Sequence, residues 1–131
     1  MNGFNGVTYA NSIFVVTGSA GRILTSSDGT SWDNRTYVTS NYLEGITYGN
    51  STFVTVGESG TILTSSDGIS WDNRTTSTSD WFYGVTYGNS KFVTVGTSGR
   101  NYYSSDGNTW TAGNINNTSN LWAITYGNSK F

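Results

Sequence analysis

The 131-residue chain contains no cysteine and no histidine. Without thiols there is no disulfide framework and no thiolate nucleophile, and without imidazole the commonest general base and zinc ligand is missing as well. Most enzyme classes lose their working parts, so no catalytic residue, bound metal or cofactor is expected. Charge is scarce too: Asp, Glu, Lys and Arg make up 11% of the chain, where about 25% is usual. Six Lys and Arg against eight Asp and Glu leave a net charge of −2, and so few cations cannot form the basic stripe that a phosphate backbone or anionic membrane requires. Neither nucleic acid nor membrane is an expected partner. No run approaches the about 20 apolar residues of a membrane-spanning helix, and Met1-Asn2-Gly3-Phe4 lacks the basic segment and apolar run of a secretion signal. Composition assigns no compartment.

What the chain has in abundance is Ser, Thr and Asn, which fill more than a third of its positions, together with 17 glycines. Its dominant feature is a repeat with a period of 39. Val7-Thr8-Tyr9 returns as Ile46-Thr47-Tyr48, Val85-Thr86-Tyr87 and Ile124-Thr125-Tyr126. Phe14, Phe53, Phe92 and Phe131 keep the same spacing, as do Gly18, Gly57 and Gly96, then Gly21, Gly60 and Gly99. The chain reads as one repeat domain, residues 1–131, with units at about 1–39, 40–78 and 79–117 and a partial fourth at 118–131.

Each unit divides into four short runs rich in β-branched and aromatic residues, separated by Gly, Asn, Ser and Asp, the local signature of an antiparallel meander. In the second unit these are Leu43 to Tyr48, Thr52 to Val56, Thr61 to Ser65 and Ser70 to Thr75. The period fits a propeller blade, and a helical array would need apolar spacing of 3.6 residues, which is absent. Adjacent apolar residues in the second run, Phe53-Val54 and Phe92-Val93, predict a strand buried on both faces, as stacked blades require. The expected fold is therefore all-β, with four-stranded antiparallel propeller blades.

The segment Ser-Ser-Asp-Gly followed by Trp recurs at 26–32, 65–71 and 104–110. It resembles the Asp-box, or BNR-like, repeat of sialidase-type and photosystem II assembly factor-type propellers, with a spacing between Asp and Trp that differs by one residue from the commonest. The resemblance implies a turn between the third and fourth strands in which Asp28, Asp67 and Asp106 accept hydrogen bonds from nearby N–H groups. It also implies that Gly takes an unusual dihedral there and that Trp32, Trp71 and Trp110 pack beneath. Such a motif specifies a blade and leaves function open.

Catalysis finds little support. Five of the eight acids recur at repeat positions, Asp28, Asp67 and Asp106 in the turn and Asp33 and Asp72 after the Trp, which leaves Glu44, Glu58 and Asp80 for any glycosidase pair. Sialidase chemistry would need clustered arginines, but Arg22 and Arg100 share one repeat position and Arg35 and Arg74 another, which spreads them around a ring. The link into the first strand of each unit is where repeats that agree elsewhere diverge: Gly3-Phe4-Asn5, Tyr42-Leu43-Glu44, Trp81-Phe82-Tyr83, Asn120-Leu121-Trp122. Aromatics beside carboxylates and amides can stack on and hydrogen-bond a glycan, or can simply pack between blades. The candidate ligand-binding residues are accordingly Tyr42, Glu44, Asp80, Trp81, Tyr83, Asn120 and Trp122. The expected function is a non-catalytic binding module for glycan, with a scaffold for protein partners as the alternative. Three units do not close a ring, so head-to-tail self-association, most simply a homodimer completed by residues 118–131, is also expected.

Overall fold

The computed structural model describes residues 3–131. They form three four-stranded antiparallel sheets of identical topology, with strands joined in sequence order. Blade 1 contains β1 (Phe4–Ala10), β2 (Ile13–Gly18), β3 (Ile23–Ser26) and β4 (Asp33–Asn34). Blade 2 contains β5 (Leu43–Gly49), β6 (Thr52–Gly57), β7 (Ile62–Ser65) and β8 (Asp72–Asn73), and blade 3 contains β9 (Phe82–Gly88), β10 (Lys91–Gly96), β11 (Asn101–Ser104) and β12 (Thr111–Ala112).

Local chemistry fixes each turn. The first hairpin of every blade closes on an Asn-Ser pair with positive φ at both residues, 45° and 57° at Asn50 and Ser51, the two-residue geometry that matches the twist of paired strands. Directly beside it a Tyr and a Phe pair across the strands, their ring centroids 4.6 to 4.7 Å apart in the three blades. The second connection is a single 3-10 turn, as at Glu58–Gly60. The third is the Ser-Ser-Asp-Gly turn, whose glycines adopt φ of 76°, 77° and 79°. Asp67 accepts from the N–H groups of Ile69 and Ser70 at 2.8 and 2.9 Å. The Ser65 hydroxyl accepts from the Gly68 N–H at 2.8 Å and donates to the Asp67 carboxylate. The same bonds recur around Asp28 and Asp106, and they hold all three carboxyls below the usual carboxylate range.

The blades stack through two apolar seams built from the same repeat positions. Val15 and Ile23 of blade 1 meet Leu43, Phe53, Leu63 and Trp71 of blade 2. One period later, Val54, Val56 and Ile62 of blade 2 meet Phe82, Val85 and Phe92 of blade 3. In β6 the residues Phe53, Val54, Thr55 and Val56 are all fully buried, the two-sided burial expected for stacked blades. The Asp turn belongs to the seam: a Cβ on Gly68 would lie 2.8 Å from Ile13 Cδ1 on the neighbouring blade, and the φ of 77° there favours glycine.

Three expectations need correction. The fourth run forms only a two-residue ladder at Asp72–Asn73 in place of Ser70–Thr75: Ser70 is held in the Asp turn by its N–H bond to Asp67, and past Asn73 the Ile62 N–H bonds the Thr75 hydroxyl at 3.4 Å instead of a strand carbonyl. A short outer strand also leaves little unpaired edge. Residues Ile124 to Phe131 form no strand; they retain the Asn-Ser turn at 128 and 129, one bridge between Gly127 and Lys130, and the Tyr126–Phe131 pair at 4.9 Å. In blade 2 the equivalent residues Ile46 to Gly49 pair with the four residues Thr52 to Thr55 beyond the turn, of which only the first two have counterparts in the tail, Lys130 and Phe131. Finally, Trp71 is buried beneath its turn, with its indole N–H donating to the Gly68 carbonyl at 3.0 Å, whereas Trp32 is 38% exposed. Both stack on the equivalent Phe, but no described residue covers the outward face of blade 1.

Candidate functional site

The innermost strand of each blade carries a β-bulge at the same place. Phe4 pairs with Gly18 and Gly6 with Thr17, which leaves Asn5 as the extra residue. In blade 2 the extra residue is Glu44, and in blade 3 it is Tyr83. Trp122 occupies the corresponding position in the tail. Bulges re-aim side chains and gather near functional sites, and here the flanking backbone leaves little choice. A Cβ on Gly18, Gly57 or Gly96 would collide with the carbonyl of Gly3, Tyr42 or Trp81 respectively. On the inner side, the Thr55 and Thr94 hydroxyls each donate to the carbonyl of the glycine after the bulge, Gly45 and Gly84, at 2.8 Å.

Successive inner strands pack on one another through their glycines, Gly45 against Tyr83 and Gly84, and Gly84 against Ala123 and Ile124. The bulge residues are thereby brought together at one mouth of the stack. Phe4, Asn5, Glu44, Trp81, Tyr83, Thr97 and Trp122 line an open depression of about 870 Å3. Its aromatic wall is continuous: Tyr42 and Trp81 lie 5.9 Å apart between centroids, Trp81 and Tyr83 6.4 Å, and Tyr83 and Trp122 4.4 Å, with interplanar angles of 32° to 37°. Trp122 is 66% exposed and ends the series.

Four of the seven candidate residues, Glu44, Trp81, Tyr83 and Trp122, line this depression directly. Tyr42 stands behind Trp81 as the next ring of the wall. Asp80 instead accepts from the Thr78 hydroxyl at 2.6 Å and pairs with Arg100 at 3.5 Å, and Asn120 accepts from the Ser98 N–H at 3.0 Å. Both hold loops. Phe4, Asn5 and Thr97 complete the lining. Phe4 and Asn5 sit in the aligned divergent link, while Thr97 belongs to a second divergent position, Ser19, Glu58 and Thr97, whose side chains all bond the link backbone. Thr97 accepts from the Trp81 N–H at 3.0 Å, Ser19 accepts from the Gly3 N–H at 3.2 Å, and the Glu58 carboxylate accepts from the Tyr42 N–H at 3.1 Å.

Glu44 is the one carboxylate lining the depression. Partial burial among rings pushes its carboxyl above the usual range, and the neighbouring charge of Glu58 adds to the effect. Among the described residues the ion pairs are Asp33–Arg35, Asp72–Arg74 and Asp80–Arg100, so neither Glu44 nor Glu58 is paired with a Lys or Arg. The described residues contain no group of three metal-ligating side chains. The depression can stack, hydrogen-bond and offer one negative charge.

No family model matches the chain, and no curated protein matches it. Among solved structures, YCF48 from Cyanidioschyzon merolae aligns with a TM-score of 0.70 at 19% identity over 85% of this chain. YCF48 bound to D1 peptide aligns at 0.66 and 19% over 93%, and the computationally designed Ika8 protein at 0.70 and 10% over 95%. The chain spans 37%, 42% and 40% of those chains respectively. At such identities the likeness concerns the fold, and together with the three identical sheets it makes this an all-β chain of propeller blades.

Proposed function

We propose that the chain is a non-catalytic binding propeller whose bulge residues grip a segment of another polypeptide at the mouth of the blade stack. The observation that carries this reading is the continuous wall of Tyr42, Trp81, Tyr83 and Trp122, with Asn5, Glu44 and Thr97 lining the same depression. Amphipathic rings with few rotatable bonds supply contact area at low entropic cost, and bordering amides and hydroxyls satisfy a peptide backbone. That one similar structure is YCF48 bound to D1 peptide supports a peptide as the ligand class. Selection from a random octapeptide library should yield binders whose affinity drops at least about tenfold in Trp122→Ala, the usual scale for a central interface aromatic, with the denaturation midpoint unchanged. Peptides that bind the variant equally well would refute the site.

Glycan binding is the second reading, favoured by the exposed Trp122 ring in a depression that Asn5 also lines. Glycan-array binding that vanishes in Trp81→Ala would replace the peptide reading. The absence of catalysis is tested with fluorogenic glycosides, where turnover abolished by substituting Glu44, Glu58 or Asp80 would overturn it.

Self-association rests on the seams. The outward face of blade 1, with Phe4 50% exposed where Leu43 and Phe82 are fully buried, repeats the face that blades 2 and 3 present to their neighbours. The outward face of blade 3, an opening of about 580 Å3 lined by Val93, Val95 and Ile124 among others, repeats the opposite one. It departs from the repeat where Lys91, Asn101 and Tyr103 replace Thr52, Ile62 and Thr64, and Lys91 rests over the Tyr103 ring. We propose that these faces join head to tail. Light scattering at twice 14.1 kDa is the expected result, and a cooperatively folded monomer at micromolar concentration excludes it.

A further inference from the structure

We infer that the depression at the mouth of the blade stack is built for a cation, and that the group seated against Glu44 is the guanidinium or ammonium of an Arg or Lys side chain in the bound segment. This rests on the peptide reading above and names the side chain that gives it specificity. Aromatic faces carry negative potential and attract cations set over them. Here Phe4, Trp81, Tyr83 and Trp122 share one depression with the Glu44 carboxylate, and every residue of the lining is aromatic, neutral polar or acidic. Each of the three described Arg–Asp pairs lies outside the depression, so among the described residues no Lys or Arg compensates the negative charge of Glu44. Glu58, held by its bond to the Tyr42 N–H, reinforces it.

The other large opening has the contrary character. It is mostly apolar, and its one charged lining residue is Lys91. A cation is thus matched to the mouth and disfavoured at the blade 3 face. Of the two candidate side chains arginine fits better, because its planar guanidinium stacks on rings while presenting paired donors to a carboxylate, which lysine cannot do.

The test is a random octapeptide library selected on the whole chain, followed by titration of the best binder and of the same peptide with Arg or Lys replaced by Gln. Expected are strong enrichment of Arg over Lys, and of both over Gln, at one position. The Gln peptide should bind about tenfold more weakly, a difference of about 1.4 kcal/mol. In Glu44→Gln, which removes charge at constant shape, the two peptides should bind within about twofold of each other, while Trp122→Ala should weaken both. Enriched peptides with no cationic position, or an Arg preference that survives Glu44→Gln, would overturn the inference and leave peptide binding intact. A library that yields no binder would overturn both.

Discussion

The two seams between blades and the mouth above them are made by the same 39-residue unit, yet the unit behaves in opposite ways in the two places. In the seams, residues one period apart are alike: Phe53 and Phe92 are both fully buried, as are Leu43 and Phe82. At the mouth, one position holds Asn5, Glu44, Tyr83 and Trp122. The backbone at the first three of those positions is nonetheless the same bulge. Packing therefore dictates side chains in the seams, while at the mouth it dictates only where side chains point. A site in a repeat protein can be found as the place where geometry is kept and chemistry varies.

The largest effect should come from the seam. Trp71→Ala removes an aromatic side chain buried against Phe53 and should cost about 3 to 5 kcal/mol in chemical denaturation. Trp32→Ala at the uncovered face should cost less than half as much. Equal losses would mean that the outward face of blade 1 is covered in solution, which would sharpen the case for self-association.

A smaller effect is expected at the turns that lock into the seams. Asp67→Ala deletes two bonds to turn N–H groups and should cost about 0.5 to 2 kcal/mol, the scale of losing a capping side chain. Because the folded Asp67 carboxyl lies below its ordinary value of 3.8, its contribution is present above that pH and fades as pH falls through the lowered folded value. The gap between parent and variant should therefore close in acid. A gap independent of pH would show that the side chain acts by shape and not by charge.

The smallest effect on stability belongs to the mouth. Glu44→Gln should shift the unfolding free energy by no more than about 0.5 kcal/mol. At neutral pH its sign should be neutral to stabilising, since the folded carboxyl is raised and its ionised form opposes folding above that raised value. A clear destabilisation would break the comparison, because Glu44 would then be a structural residue like those in the seams.

How much of this was legible in the sequence follows from the same division. The period, the strand positions and the two-sided burial of β6 were readable because every unit repeats the same compromise between glycine turns and apolar runs. The weak fourth strand was not, since Ser70 to Thr75 reads as a strand by propensity and the bonds that shorten it, from the Ser70 N–H to Asp67 and from the Ile62 N–H to the Thr75 hydroxyl, involve side chains. The exposure of Trp32 depends on a missing neighbour, which no local pattern reports. At the mouth, divergence pointed to the right link but could not separate Trp81 and Tyr83, which line the depression, from Asp80 and Asn120, which hold loops. Trp81 and Asn120 share one repeat position, so only their partners in space tell them apart: neighbouring rings for Trp81 and the Ser98 N–H for Asn120.

The Asn-Ser turns have a consequence for how such a chain changes over generations. Each turn lies at the same phase of the unit, and every seam joins only consecutive units through the same positions. Unequal recombination between any two of these turns inserts or removes one whole blade while creating no junction of a new kind. Blade number can therefore drift by single steps, and each inserted unit brings a fresh copy of the bulge position on which selection can act independently of the seams.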